Sequence, residues 1–325
     1  MRTATHLFPL GTGINSATTA QSRLCSSATW YPNATTIPLP NGSWPTGIAS
    51  DSQQNLIVYD QISYGLQKYF TNGSSLTLST GWFAGDLFID RYDNIYFSDH
   101  YNNWVLVLTN TTGKVTIVAG NGASGSDPNE LQVYAPSGIY VDRTASVYIA
   151  DTFNQRVVKW LAGAQEGIVV AGGNRLGSAA NQFSFPQGLF VDEVNDGGIY
   201  VCDSTNERIQ KWLPGASIGI TVAGGNSWGS NLNQLNGPSS IFVDTNTRIM
   251  YITDQANNRI VGWLLGASSG IVIAGGNGQG NGANQLSSPN QFAFDSNRNL
   301  YVVDQGNQRI QKFAFNASSC TNYND

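Results

Sequence analysis

Short apolar and polar runs recur along the chain in sets of four. In one set, residues 188–192 form a short apolar run and residues 199–203 are rich in β-forming side chains. Residues 208–212 alternate polar and apolar side chains with a period of two, which predicts a strand with two different faces. Residues 219–226 form the fourth run and end in two glycines and an asparagine. Because helical periodicity is absent, the pattern predicts an all-β protein.

The set of four runs returns six times along the chain. The second run of each set ends in an aspartate: Asp60, Asp99, Asp151, Asp203, Asp254 and Asp304. The interval is 39 residues between the first two aspartates and 50 to 52 residues after that. A period of this size with four strands per unit is typical of β-propeller blades. The sequence therefore predicts a six-bladed β-propeller of four-stranded antiparallel blades.

The sixth repeat lacks an outer strand of its own, since the chain ends soon after the run at residues 309–313. Residues 29–40 align with the fourth-strand region of the other repeats, and their prolines fit an edge strand. We expect this N-terminal strand to complete the last blade. Residues 1–24 are then a tail and residues 25–325 a single propeller domain. Cys25 and Cys320 flank the seam between the two ends, which predicts a disulfide between them.

The repeated cassette Pro-x-Gly-Ile/Leu-x-Val-Asp, Ile-Tyr-Val-x-Asp and x-x-Asn-x-Arg-Ile resembles the NHL repeat. The resemblance extends over nearly the whole chain from Pro45 onward, with good copies in repeats three to six. It implies a propeller that is typically six-bladed, in agreement with the repeat count. It leaves the function open, because the family includes extracellular and intracellular recognition modules and also relatives with enzymatic activity.

Composition and charge exclude some classes of partner. Charged residues make up 11% of the chain and the net charge is −5, whereas nucleic-acid binding draws its affinity from clustered Lys and Arg. Nucleic acid is therefore not an expected partner. No apolar run reaches the roughly 18 residues that a membrane span needs. Residues 1–21 also lack the basic-then-apolar profile of a signal peptide.

Other features favour a secreted glycoprotein, whose signal peptide was removed or lay upstream. Besides the cysteine pattern, the sequence contains five acceptor motifs for N-glycosylation. The acceptors are Asn33, Asn41, Asn72, Asn110 and Asn316. We therefore expect an extracellular location.

The repeated carboxylates are interpreted as parts of the scaffold. The aspartate that ends each second run starts a polar turn, with Asn three and Arg five residues later in repeats three to six, so that it can cap the turn and pair with the Arg. A second set ends the first strands: Asp51, Asp90, Asp142, Asp192, Asp244 and Asp295. If these six faced one channel they would need a cation such as Ca²⁺. Turn capping is the preferred role, so no cofactor is expected and Ca²⁺ stays an open alternative.

The residues that common catalytic centres require are scarce. The only histidines are His6 and His100, too few for a three-histidine zinc centre. His100 occupies a turn position that holds Gln, Thr or Ser in the other repeats, which favours a polar turn over a catalytic triad. Cys202 falls in a predicted buried strand and is interpreted as a core residue. The glycine-rich stretch at residues 275–280 lacks the following Lys-Ser/Thr of a phosphate loop. The strand-three aromatics are expected to pack between blades: Tyr69, Trp160, Trp212, Trp263 and Phe313.

Functional residues are expected where the repeats differ, because residues at equivalent positions of the scaffold are explained by the same packing requirements. Repeat one has Ser63 and Gly65 where the others have Asn and Arg, and repeat two has Trp104 at the Arg position. The link between repeats one and two is also shorter than the others, with Trp82 and Phe83 near the join.

Unique aromatic residues define a candidate recognition patch. In propeller topology the loops between strands two and three lie on the same face as the links between blades. Tyr101, Phe153 and Trp228 are therefore expected to share one face, supported by Gln187 and Asn290 at the mouth of the channel. The sequence favours a non-catalytic extracellular binding or scaffold propeller that recognises protein or glycan, with self-association into a matrix or filament as a variant. The alternative is a Ca²⁺-dependent lactonase or other hydrolase, or a lyase, acting in the central channel.

Overall fold

Six four-stranded antiparallel sheets surround a central channel in the computed structural model, which describes residues 24–123, 125 and 132–320. The first three blades consist of β2 (Pro45–Ser50), β3 (Leu56–Asp60), β4 (Gly65–Tyr69) and β5 (Ser75–Thr80); β6 (Ala84–Ile89), β7 (Ile95–Asp99), β8 (Trp104–Leu108) and β9 (Val115–Ala119); and β10 (Pro136–Val141), β11 (Val147–Asp151), β12 (Arg156–Trp160) and β13 (Ile168–Gly172). The prediction of a six-bladed propeller is confirmed.

The other three blades have the same antiparallel order from the channel outward. They consist of β14 (Pro186–Val191), β15 (Ile199–Asp203), β16 (Arg208–Trp212) and β17 (Ile220–Gly224); β18 (Pro238–Asp244), β19 (Ile249–Asp254), β20 (Arg259–Leu264) and β21 (Ile271–Gly275); and β22 (Phe292–Phe294), β23 (Leu300–Asp304), β24 (Arg309–Phe313) and β1 (Thr35–Ile37). Short 3₁₀ turns lie at Thr152–Asn154, Ser204–Asn206, Gln255–Asn257, Gln305–Asn307 and Ala317–Cys320.

The N-terminal strand closes the ring, as expected. β1 pairs antiparallel with β24, with Thr36 opposite Gln311. The Cys25–Cys320 disulfide joins the two ends of the described chain at this seam. The paired strand is limited to three residues, shorter than the predicted 29–40 segment, and an isolated bridge between Trp30 and Phe315 extends the contact. The predicted tail at residues 1–24 lies, except for Leu24, outside the described residues.

The core consists of side chains packed between neighbouring blades. Because strand-three aromatics repeat in register, each fills the space against the adjacent sheet, and Trp160, Trp212, Trp263 and Phe313 are all buried. Tyr69 in blade 1 is only half-buried. Cys202 is a free, fully buried cysteine, in agreement with its interpretation as a core residue. Burial on this scale is the main force that holds the sheets around the ring.

The topology gives the ring two different faces. The loops between the second and third strands and the links that enter each inner strand lie on one face, which we call the upper face. A backbone hydrogen bond from Phe153 N to Tyr134 O joins two such segments directly. The lower face carries the turns after the inner strands and the loops before the outer strands. None of the described residues form a helix that is long and apolar enough to cross a membrane.

Candidate functional site

The upper-face turns of blades 3 to 6 each contain the same Asp–Arg ion pair. In blade 4, the Arg208 Nε donates to Asp203 Oδ2 at 2.7 Å, and Asn206 Nδ2 donates to the same oxygen at 2.8 Å. The other oxygen, Oδ1, accepts from Ser184 N at 2.7 Å. The same Nε–Oδ2 distance of 2.7 Å recurs in blades 3, 5 and 6. The repeated aspartates therefore anchor the turns, as the sequence pattern predicted.

The second carboxylate set caps turns on the lower face. Asp51 Oδ1 accepts from Gln53 N at 2.9 Å and from Asn55 N at 2.8 Å. Equivalent bonds to backbone N–H groups hold Asp90, Asp142, Asp192, Asp244 and Asp295. Each of these carboxylates therefore caps its own turn, in agreement with the preferred interpretation.

Two aromatic trios lie on the upper face of blades 1 to 4. In the first trio, Phe83 contacts Tyr64 and Tyr101, each with ring centroids 4.9 Å apart. In the second trio, Phe153 contacts Tyr134 at 4.9 Å and Phe185 at 5.6 Å. The members come from the loops between strands two and three and from the residues just before the inner strands. Tyr101 and Phe153 are 72% and 51% exposed, so the rings are open to a partner.

The trios break the symmetry of the ring. The positions of Tyr101 and Phe153 are held by Ala256 and Gly306 in blades 5 and 6. Just before the inner strands, these two blades carry Asn-Gly and Ser-Ser. Because the small residues support the same turn, the rings of blades 1 to 4 are not required by the fold. Exposed aromatic clusters of this kind are typical of recognition surfaces.

The predicted patch residues are distributed over several places on the upper face. Tyr101 and Phe153 belong to different trios. Trp228 lies on the link between β17 and β18 and is 73% exposed, without a ring contact to any aromatic residue that the structure describes. The patch predicted from the sequence did not include the other four trio members, Tyr64, Phe83, Tyr134 and Phe185. Their signal was available, because each is an aromatic residue at a turn position that is small or polar in blades 5 and 6.

The two predicted residues at the channel mouth have different roles. Asn290 uses its amide inside the scaffold, because its Nδ2 donates to Thr46 O at 3.0 Å and so joins blade 6 to blade 1. Its backbone carbonyl accepts from Ser239 Oγ at 2.8 Å. Gln187, in β14, is half-buried, and its side chain has no hydrogen-bond partner within the described part of the protein.

The upper face carries little free charge. Its second-strand aspartates are buried, as are Arg156, Arg208 and Arg259, while Arg309 is half-buried. Glu207 accepts from Gly237 N. Among the described residues of the upper loops and links, Arg175 and His100 are the other acidic or basic side chains. Unpaired arginine clusters are therefore not available for an anionic partner, and the exposed rings dominate the face.

The central channel contains a polar bridge that the sequence analysis missed. Gln291 of blade 6 donates through Nε2 to Asp86 of blade 2 and accepts through Oε1 from Ile48 N at 2.6 Å. Asp86 Oδ2 also accepts from Ile139 N at 2.9 Å. Both residues replace the glycine of the Pro-x-Gly cassette, which was the available signal. Burial raises the pKa of the Asp86 carboxyl to about 7, although backbone N–H groups of Ile139 and Leu87 oppose the shift.

The raised pKa predicts that stability falls as the pH rises from about 4 to 7. The folded protein keeps the Asp86 proton up to about pH 7, whereas the unfolded chain releases it near its ordinary pKa of about 3.9. The folded state therefore binds more protons in this range, and each pH unit costs at most about 1.4 kcal/mol. Urea unfolding of Asp86→Asn across this range should give a shallower slope than the unchanged protein. Asp93→Asn, on the lower face, is the control, and equal slopes for Asp86→Asn and the unchanged protein would contradict the prediction.

The channel is narrow at the level of this bridge. Its cavity measures about 110 Å³ and is lined by inner-strand residues of all six blades, whereas ligand pockets usually enclose roughly 300–1,000 Å³. No group of three or more His, Cys, Asp or Glu side chains within the described residues is placed to hold a metal ion.

These features define the chain as a six-bladed β-propeller with an aromatic, weakly charged upper face. Comparison with models of protein families gives no match. Two curated relatives are both called NHL repeat-containing protein 3. The mouse protein is 31% identical over 105 residues, covering 31% of this chain and 29% of its own length. The human protein is 24% identical over 180 residues, covering 50% of each. These weak matches and the six-bladed ring support the resemblance to NHL-repeat propellers. The chain matches half or less of the length of these relatives.

Solved structures share the fold at low sequence identity. A Bacteroides thetaiotaomicron protein of unknown function has a TM-score of 0.68 at 15% identity, covering 90% of this chain and 74% of its own. A gluconolactonase from Xanthomonas campestris gives 0.62 at 12%, covering 89% and 97%. Virginiamycin B lyase from Staphylococcus aureus gives 0.57 at 12%, covering 86% and 98%. Identities this low relate the folds, and both binding and enzymatic roles occur on such folds.

Proposed function

We propose that the chain is a non-catalytic extracellular binding module whose upper face receives a protein or glycan partner. The observation that carries this proposal is the confinement of the two aromatic trios to blades 1 to 4. Rings supply large contact areas at low entropic cost, and buried aromatic anchors contribute most of the binding energy in many interfaces. Since the face has few free charges, hydrogen bonding and ring contact suit it better than charge-driven capture. Self-association through the same face is a variant of this role.

The distribution of the N-glycosylation acceptors supports the upper face as the binding face. Asn33, Asn72, Asn110 and Asn316 lie on lower-face segments, and Asn41 lies on the upper link between β1 and β2. Blades 3 to 5 carry no acceptor motif. If the acceptors carry glycans, the second trio and the link with Trp228 stay uncovered. The acceptors and the disulfide together support a secreted glycoprotein, because disulfides persist in oxidising compartments.

The alternative role, a Ca²⁺-dependent hydrolase or lyase, has less support. Ca²⁺ takes six to eight oxygen ligands, whereas Asp86 and Gln291 are the side chains that meet across the channel. The Asp86 oxygens already accept from Gln291, Ile139 N and Leu87 N. This donor set does not fit the ion. Metal analysis together with a screen on lactones and esters tests the alternative, and stoichiometric Ca²⁺ with turnover would overturn the proposed role.

Substitutions copied from neighbouring blades test the binding role without disturbing the fold. Tyr101→Thr with Phe153→Thr installs the residue that Thr205 provides in blade 4. We expect binding on a glycan array, or to proteins of an extracellular extract, to weaken at least about ten-fold. The melting temperature should stay nearly unchanged, since the replaced rings are exposed.

Ile220→Thr is the matched control, because Ile220 is 59% exposed on the outer strand β17, away from the upper loops. Equal binding by the double variant and the control would contradict the proposal. Sedimentation velocity distinguishes self-association from binding to another molecule. An oligomer that dissociates when Tyr101 and Phe153 are replaced identifies a second copy of the chain as the partner.

A further inference from the structure

Blade 1 lacks the cation that four other blades place on their upper-face aspartate. In blades 3 to 6, an arginine five residues after the aspartate donates to its Oδ2 at 2.7 Å. An asparagine three residues after it donates to the same carboxylate at 2.8–2.9 Å. In blade 1 these positions hold Gly65 and Ser63. Gly65 has no side chain, and Ser63 Oγ donates to the backbone oxygen of Asp60 at 3.4 Å.

The Asp60 carboxylate is held in the same way as its counterparts but is only half-satisfied. Its Oδ1 accepts from Trp44 N at 3.1 Å and from Ile62 N at 2.8 Å. No described residue donates to Oδ2, although Asp60 is only 6% exposed. Oδ2 is not one of the fully enclosed side-chain atoms without a partner, so it can be reached from the surface. A nearly buried carboxylate with a free oxygen favours a cationic donor strongly.

Blade 2 also lacks the arginine, but its aspartate is satisfied by other donors. Trp104 stands at the arginine position, and Asp99 accepts from Tyr101 N, Asn102 N, Asn102 Nδ2 and Phe83 N. Asp99 is fully buried. Its carboxylate is therefore satisfied inside the blade, and the unfilled position is confined to blade 1.

Two partly exposed aromatic residues lie on the segments next to Asp60. Trp44 and Tyr64 belong to the two segments that flank Asp60, and they are 38% and 46% exposed. The five other blades place Asn, Gln or Glu at the position of Tyr64, in the same left-handed backbone conformation. A guanidinium is planar, stacks on ring faces and forms hydrogen bonds to carboxylate at the same time. A metal ion would need more oxygen ligands than this position offers.

We propose that blade 1 binds an arginine side chain of a protein partner on Asp60, at the place where blades 3 to 6 carry their own arginine. The inference rests on the proposed binding role, and it selects a protein rather than a glycan as the partner. The incoming guanidinium donates to Oδ2 and lies against Trp44 and Tyr64. The partner thus completes the ion pair that the scaffold repeats elsewhere.

A short peptide tests the position directly. The probe is acetyl-Gly-Arg-Gly-amide, titrated into the full chain and followed by tryptophan fluorescence, with the citrulline peptide as the neutral comparison. We expect saturable binding of the arginine peptide that weakens as salt rises. Asp60→Asn should weaken it about ten-fold or more, because the bond to a charged acceptor is lost. No binding to the unchanged protein, or equal binding of the citrulline peptide, would overturn the inference.

Two further variants separate this site from a general charge effect. Ser63→Asn installs the amide donor that blades 3 to 6 direct at this oxygen, so it should weaken the peptide about ten-fold while stability is kept or increased. Asp93→Asn removes the same charge from the lower face and should leave binding unchanged. Unchanged binding in Asp60→Asn and Ser63→Asn would overturn the arginine site. If partner binding is then still lost on Tyr101→Thr with Phe153→Thr, the proposed binding role stands without it.

Discussion

Arg208→Ala should lower the free energy of unfolding by about 3–5 kcal/mol, because it leaves a buried carboxylate without its partner. Asp203 is fully buried, and the Arg208 guanidinium also donates to Ala179 O and Gln182 O at 3.0 and 3.2 Å. The substitution therefore removes one ion pair and two bonds to the link that enters blade 4. Urea unfolding measures the loss.

Arg175→Ala is the control, since Arg175 is exposed on the same link and should cost less than about 0.5 kcal/mol. Replacing both members of the pair, Asp203→Asn with Arg208→Met, should cost less than Arg208→Ala alone. Asn keeps an acceptor for Ser184 N, and no unpaired charge stays buried. A cost below about 1 kcal/mol for Arg208→Ala would show that this turn is not held by the pair.

Removing the seam disulfide is expected to have the second large effect. Cys25→Ser with Cys320→Ser should lower the free energy of unfolding by about 2–4 kcal/mol. The disulfide spans 295 residues, so it restricts the unfolded chain strongly. The strand pairing at the seam is short, with three residues of β1 on β24 and an isolated bridge between Trp30 and Phe315. Urea unfolding measures the change, and hydrogen exchange should accelerate first in blade 6.

Cys202→Ala is the matched control, because it removes a cysteine that forms no disulfide. Blade 3 has Ala150 at the equivalent buried position, so the cost should stay near about 1 kcal/mol. Equal stability of the double serine variant and the unchanged protein would contradict the role of the seam.

The scaffold and the proposed site use the same chemistry in different ways. Where the turn holds both Asp and Arg, as at Asp254 and Arg259, the pair is buried and stabilises the blade. Where the Arg is missing, as beside Asp60, the same carboxylate is open to a partner. Loss of one scaffold residue thereby converts a structural position into a candidate binding position, and the nearby rings add contact area.

The sequence by itself determined the architecture of this protein. The period of the cassette predicts six blades, and the missing outer strand of the last repeat predicts closure by the N-terminus near Thr35–Ile37. The pairing of Asp151 with Arg156 was also predictable, because the two residues are five positions apart in one turn. Local spacing was sufficient for these features, since each blade is built from consecutive residues.

Only the tertiary structure decided which residues of different blades meet. Phe83 contacts Tyr64 and Tyr101 because three loops converge on the upper face. Gln291 reaches Asp86 across 205 positions of chain because the ring brings the inner strands of blades 6 and 2 together. Asp86 and Gln291 depart from the repeat at the cassette glycine, which was an available signal. Which residues they meet depends on ring closure, which no local pattern encodes. The fold of each blade is therefore determined by residues close together in the sequence, whereas the candidate sites form where different blades meet.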